Sequence, residues 1–262
     1  MSRTFDALMK AEAASKSKIK SAPKKQRAVS FNALSLFKDK RKPIKIDFDL
    51  DPYVEEQYQR LRRHLLPNSK RAAVKVVMVA ATDHGEGGTT TAAILAATLA
   101  RSVNSKILLV DANMRTPALE EVFDQGEACE LVGLSDKVLS HAPLDQAIYQ
   151  TDIGNLFFMP CGRAVTSPSY VFDNGALTEM LSLLREQFDF IIFDGSPLRD
   201  YSESCFLAEK MDGVILVVEA ERTKAEVVRK IRRDLESTGV NILGVVLNKK
   251  RKYIPEYLER FL

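Results

Sequence analysis

The sequence predicts an α/β protein with a doubly wound, mostly parallel sheet. Three observations carry that expectation. From residue 74 onward, short apolar runs alternate with helix-patterned segments, the pattern of linked strand–helix units. The first run, VKVVMVA, passes straight into a glycine loop, HGEGG, and then into an alanine-rich segment, TTTAAILAATLA. Carboxylates stand at the ends of two further runs, Asp111 in ILLVD and Asp194 in FIIFD. In such sheets ligands bind at the carboxyl ends of the strands, so these positions are the candidate chemistry.

Residues 1–50 read as a basic N-terminal arm and residues 51–262 as the folded domain. The net charge of +3 conceals an asymmetry. Residues 1–46 hold 13 Lys/Arg against 3 Asp/Glu, and the remainder holds 25 against 32. A basic arm on an acidic body suggests an anionic partner, such as a membrane face, nucleic acid or an acidic protein patch. The plain alternative is a solvated tail. Phe5, Leu8, Met9 and Ala13 fall near helical spacing after Ser2, so residues 2–15 read as a short amphipathic helix. FNALSLF, residues 31–37, is an apolar island in an otherwise Lys/Ser-rich linker. No apolar run reaches the roughly 18 residues of a membrane span, and no signal-peptide pattern opens the chain. Cys129, Cys161 and Cys205 are far apart, without metal-like spacing, and suit reduced thiols in a cytoplasmic protein.

Taken in order, Asp51-Pro52 starts a helix whose apolar face is Val54, Tyr58, Leu61 and Leu65, and Pro67-Asn68 ends it. A buried strand follows over Val74–Ala80, then a helix over Thr89–Arg101. Lys106–Val110 is the next strand, with a short helix near Pro117–Phe123. GLSDKVLS and LDQAIYQ read as short helices and Leu156–Met159 as a strand. The remaining elements alternate: helix Gly175–Gln187, strand 188–194, helix Glu203–Lys210, strand 213–219, amphipathic helix Lys224–Ser237 and strand Ile242–Leu247.

Strand, glycine loop and helix start in this order form the phosphate cradle of a P-loop NTPase-like fold, whose backbone N–H groups and helix N-terminus suit an anion. Gly85, Glu86, Gly87, Gly88, Thr89 and Thr90 are the expected phosphate-binding positions. Thr89 supplies a hydroxyl for Mg²⁺, and Asp111 and Asp194 supply carboxylates; a hard cation wants such oxygen ligands. Asn248, at the end of GVVLN, offers a side-chain amide suited to a nucleotide base edge. One side chain is missing: the P-loop pattern would put lysine at 88, where this chain has Gly88.

The motifs together resemble bacterial tyrosine autokinases (BY-kinases, CpsD/CapB-like), with closest similarity to the branch associated with exosortase systems. EQYQRLRRHL (56–65) is similar to the family's EAYRTLRTNL helix, and LLVDANMRTPAL (108–119) to LLIDADLRRPxL. GLSDKVLS (133–140) and MPCGRAVTSPSYVF (159–172) match GLSDVLxG and LPAGxxPxNPxELL. FDFIIFDGSPL, DGVILVVEAERT and ILGVVLNKKRKYIPEYLERFL extend the likeness to residue 262.

The resemblance implies ATP or ADP and Mg²⁺ as cofactors, with Asp111 and Asp194 as catalytic carboxylates if the site is active. It also implies subunit contacts through Glu56 and Arg62 in a homo-oligomer, and phosphorylation at Tyr253 and Tyr257. The implied partner is an inner-membrane chain-length-determinant protein of polysaccharide export, with the chain cytoplasmic and peripheral to that membrane. The arm 1–46 would lie on its anionic surface; nucleic acid is not the expected partner. Four departures stand out: Gly88 for the P-loop lysine, Asn113 for the second aspartate of the Walker-A′ motif, Gly195-Ser196 in the Walker-B segment, and Glu203 for a following aspartate. They favour a degenerate, kinase-like regulatory subunit. The alternatives are an active autokinase, with Arg115, His84 or a neighbouring subunit lending a cation, and a ParA/MinD-type positioning ATPase.

Overall fold

The computed structural model describes residues 43–46, 50–65, 74–102, 105–122, 131–173, 175–200 and 203–250. All belong to the unit Leu34–Leu262. The expected helix at 2–15, the island at 31–37, and Tyr253 and Tyr257 lie outside the described residues.

Seven strands form one sheet: β1 (Val76–Ala81), β2 (Ile107–Asp111), β3 (Tyr149–Gln150), β4 (Leu156–Met159), β5 (Phe190–Gly195), β6 (Gly213–Glu219) and β7 (Ile242–Asn248). Their order is β3-β4-β2-β5-β1-β6-β7. All pairs are parallel except β3 with β4. The expected doubly wound sheet is therefore present, with one antiparallel edge. Strands β1, β2 and β5 are buried along their whole length, which is why they read as continuous apolar runs.

Strand side chains alternate between two cores, as the two-residue period requires. Met78, Val110, Phe193 and Leu216 face one core, shared with Leu177, Met180, Leu184 and Leu235 of α6 (Gly175–Gln187) and α8 (Ala225–Ser237). Val79, Leu109, Ile192 and Val217 face the other, against α2 (Gly88–Ser102). The buried alanines of α2 let it lie close to the sheet, and α1 (Pro52–Leu65) covers it from outside. The Asp51 carboxylate caps α1 by accepting from the Tyr53 N–H at 2.8 Å, with Pro52 at the first helical position.

Shorter helices complete the described elements: α3 (Leu119–Val122), α4 (Leu134–Ser140), α5 (Pro168–Phe172) and α7 (Glu203–Ala208). Two local expectations need correction. LDQAIYQ forms only a 3₁₀ turn at Leu144–Gln146, and Tyr149–Gln150 is the antiparallel edge strand. Burial of Ala147, Ile148 and Tyr149 beside the sheet wins over helical pattern there. Helix α5 was not expected, although Ser167-Pro168 is a recognisable helix start. Residues 43–46 lie against the sheet edge. The Ile44 N–H donates to the Gln150 carbonyl, the Asp152 N–H donates to Ile44, and Ile44 and Ile46 are buried.

Asp212 ties three elements together below the sheet. Its carboxylate accepts from the Lys75 and Val76 N–H groups, each at 2.8 Å, and takes both guanidinium nitrogens of Arg185 at 2.9 and 2.6 Å. Replacing Asp212 with Ala is expected to cost about 2 kcal/mol, since bonds to an ionised group outweigh neutral ones. Urea unfolding of the two proteins checks this.

Candidate functional site

The loop between β1 and α2 is organised by a buried carboxylate. Glu86 is 1% exposed. Its Oε2 accepts from the Thr82 N–H at 2.8 Å, the Thr82 hydroxyl at 2.6 Å and the Asp83 N–H at 3.0 Å. Its Oε1 accepts a short hydrogen bond from the Thr223 hydroxyl. With Glu86 turned inward, the flanking glycines take left-handed backbone, φ +76° at Gly85 and +91° at Gly87.

The last residue of β7 and the one after it grip the loop. The Asn248 Nδ2 donates to the Glu86 carbonyl at 2.8 Å, and Lys249 Nζ donates to the Gly85 carbonyl at 2.5 Å while pairing with Glu219 at 3.1 Å. A Cβ on Gly87 would lie 2.3 Å from Asn248 Nδ2, so glycine is required there. The amide of Asn248 thus braces the loop through one of its two N–H donors. Arg199 pairs with Asp83 at 2.7 Å and Arg222 with Glu219 at 2.9 Å, both on the same rim. Thr223, Lys249, Arg199 and Arg222 were missed by sequence reading. Their signal was position: each follows the carboxyl end of a strand.

Thr89 is half-buried and Thr90 exposed in the first turn of α2, and His84 is exposed in the loop. Parallel pairing of β2 with β5 sets Asp111 directly beside Asp194. Both are fully buried. Asp111 Oδ1 accepts from the Asn113 N–H at 3.0 Å and Oδ2 from the Leu119 N–H at 3.3 Å. Among the described residues neither oxygen of Asp194 makes a hydrogen bond of full geometry, the Thr89 hydroxyl being only a weak partner. Burial pushes the Asp111 carboxyl up to about 7, against the pull of its backbone donors. Burial and the Asp111 charge push Asp194 well up, and the Thr89 hydroxyl only opposes this.

Two adjacent buried carboxylates, one of them without a full hydrogen bond among the described residues, fit a divalent cation, with Thr89 as a third oxygen ligand. Among the described residues no three His, Cys, Asp or Glu side chains could hold a metal alone. Phosphate and water oxygens would complete the shell.

Known proteins share this sequence and fold. Residues 74–239 match the AAA domain family. The tyrosine-protein kinase CpsD of Streptococcus pneumoniae serotype 4 is 31% identical over 195 residues, 74% of this chain and 84% of that protein. The chain belongs to the CpsD/CapB-like BY-kinases. The tyrosine-protein kinase YwqD of Bacillus subtilis is 28% identical, over 75% of this chain and 81% of that one. The crystal structure of the chimerical protein CapA2B2 has a TM-score of 0.72 at 25% identity, over 81% of this chain and 95% of that chain.

Most positions that depart from the BY-kinase pattern are in contact with one another or with close neighbours. A Cβ on Gly88 would lie 3.1 Å from the Ala81 nitrogen and 3.2 Å from its Cβ, so a side chain there needs Ala81 to yield slightly. A Cβ on Gly195 would lie 2.1 Å from Met78 Cε. The Ser196 hydroxyl donates to Asn113 Oδ1 at 2.8 Å, and Arg115 Nε donates to Glu203 Oε1 at 2.7 Å. Arg115 is thereby held on Glu203. On α1, Glu56 is exposed and pairs with Arg60 at 2.7 Å, and Arg62 is half-buried against Gln59 at 3.0 Å.

The carboxylate pair sets a pH dependence. A carboxyl whose folded pKa is raised holds a proton that the unfolded chain has released, so stability falls as pH rises from about 4 to 7. The slope is about 1.4 kcal/mol per pH unit for one such proton. Urea unfolding at pH 5 and 7.5 is expected to show this loss. Mg²⁺ is expected to offset it at the higher pH, and Asp194→Asn to flatten both effects.

Proposed function

We propose that this BY-kinase family member is a regulatory, kinase-like subunit of exopolysaccharide assembly with weak or no phosphoryl transfer. The observation that carries this is the composition of the phosphate–metal centre. Its architecture is complete, but position 88 has no lysine, and Asn113 is neutral and engaged with Ser196.

In this reading the loop amides of residues 85–90 receive the phosphates of ATP or ADP, while Thr89, Asp111 and Asp194 hold Mg²⁺. Bound Mg²⁺ supplies neutralisation of phosphate charge. The chain's own part is to orient the phosphates, through a loop braced by Glu86, Asn248 and Lys249. Without lysine, the contact that strengthens as charge builds on the transferring group is missing, so binding outlasts turnover.

Family membership and the basic segment 1–46 support an inner-membrane chain-length-determinant partner and a cytoplasmic position against its anionic lipid face. Among the described residues no helix is long and apolar enough to cross a membrane. Oligomer contacts through Glu56 and Arg62, and phosphorylation of Tyr253 and Tyr257, belong to the same reading. An active autokinase is the second reading. The observation favouring it is Lys249, whose Nζ already reaches the loop at the Gly85 carbonyl.

Calorimetric titration with Mg²⁺-ATP tests the site. Wild type is expected to bind about 10- to 100-fold more weakly than Gly88→Lys, the worth of one charge-assisted contact, and only Gly88→Lys is expected to autophosphorylate. Equal autophosphorylation by both proteins, lost in Lys249→Ala, would establish the active kinase instead. Deleting residues 1–42, which leaves Ile44 and Ile46 in place, is expected to abolish co-sedimentation with anionic vesicles at low salt. Undiminished binding would remove the arm from the membrane contact.

A further inference from the structure

Strand β7 is an outer edge of the sheet, paired only with β6. Residues in register share a side of the sheet, so Val245, opposite Leu216, and Leu247, opposite Val218, stand on the side that carries α6 and α8. Nearer the start of the strand, Ile242 packs against that core. Val245 and Leu247 are instead 55% and 58% exposed. One exposed aliphatic side chain means little. Two neighbours on the same side of an edge strand are a liability, and sheets commonly cover such an edge with a helix or loop.

The chain continues past this edge as RKYIPEYLERFL, residues 251–262. Ile254, Tyr257, Leu258, Phe261 and Leu262 recur at i, i+3, i+4, i+7 and i+8, the spacing of one helical side, and Pro255 suits a first turn. Two observations favour this segment as the cover. The first is the course of the chain. Lys249 has left-handed backbone, φ +54°, directly after the strand, and its Nζ is fixed on the Gly85 carbonyl and on Glu219. A non-glycine residue rarely takes that conformation, and here it turns the chain away from the strand direction. Leu247 stands two residues before this turn, so the uncovered side chains lie at the end from which the segment departs. Nine helical residues extend about 13 Å, enough to span the roughly 10 Å from Val245 to the strand end. The second observation is charge. Lys230 and Arg233 are exposed on α8, which lies beside β7, and have no acidic partner among the described residues. Glu256 and Glu259 of the segment complement them, whereas a second copy of the same patch would set cations against cations.

We infer that the uncovered side of β7 is the docking surface for residues 254–262 of the same chain, whose apolar side closes over Val245 and Leu247. The inference does not depend on a bound nucleotide. It does reach the phosphate loop, because the segment follows Asn248 and Lys249, the two residues that hold the Glu86 and Gly85 carbonyls. Tyr257 belongs to the docked side, so a phosphate on it would release the segment through desolvation cost.

The test is amide hydrogen exchange of the full chain over residues 242–248, with melting temperature measured alongside. Leu258→Asp is expected to speed exchange there by about tenfold, the effect of exposing one aliphatic contact, and to lower the melting temperature. Tyr257→Glu is expected to act alike and Tyr257→Phe to leave exchange unchanged. In a Leu247→Ala background, Leu258→Asp is expected to add much less, because residues in contact are not additive. A chain shortened to residue 253 carries the test if Leu258→Asp does not fold. Unchanged exchange in both, or additive effects at 247 and 258, overturns the inference. So does a wild-type dimer that Leu247→Asp dissociates, which would make a second copy the occupant. Co-sedimentation with anionic vesicles that Leu247→Asp abolishes also overturns it and assigns the patch to lipid.

Discussion

Asp194 carries two carboxylate oxygens into full burial, and among the described residues neither receives a hydrogen bond of full geometry. An ionised carboxylate in that position costs several kcal/mol unless something compensates it. The strand order makes the problem sharper, because β5 lies between β1 and β2 and its end is aligned with Asp111. Only a shared proton or a cation relieves two adjacent buried acids. The sheet therefore holds a strained charge pair at its carboxyl edge, and the loop, helix start and neighbouring turns are arranged around it.

The departures from the family pattern are coupled to one another. Asn113 and Ser196 differ from the family and bond to each other at 2.8 Å. Glu203 also differs, and its buried carboxylate is met by Arg115. Gly195 leaves the space that the end of Met78 fills. Independent decay would leave unpaired polar atoms or voids, each destabilising by about a kcal/mol or more. Here the substituted polar groups are hydrogen-bonded to one another or to a neighbouring side chain. Gly88 is the exception: its backbone φ is not positive, and nothing in its surroundings demands glycine beyond closeness to Ala81.

The loop is braced through its acceptors. Asn248 and Lys249 take the carbonyls of Glu86 and Gly85, and Thr223 takes the Glu86 carboxylate. Carbonyls held outward leave the loop's N–H groups turned toward the opposite side, where an anion would sit. The bracing side chains come from the turn after β6 and the end of β7, more than 130 residues further along the chain. Occupancy of the loop and the geometry of the last strands are consequently one structural problem.

Much of this was legible in the sequence because parallel strands buried on both faces must be continuously apolar, and their ends must carry the polar residues. Val74–Ala80, the HGEGG loop, Asp111, Asp194 and Asn248 were all located on that ground, as was the doubly wound sheet. The edge was not legible: Ala147–Tyr149 have a pattern open to helix or strand, and only burial beside β4 decides between them. Sequence alone also determined that lysine is absent at 88 and that 113 is an amide. Which way that amide faces, what Asn248 holds, and the pairing of Arg115 with Glu203 were decided by tertiary structure. Those contacts join residues 83 to 162 positions apart, and local pattern has no access to partners that only folding brings within hydrogen-bond reach.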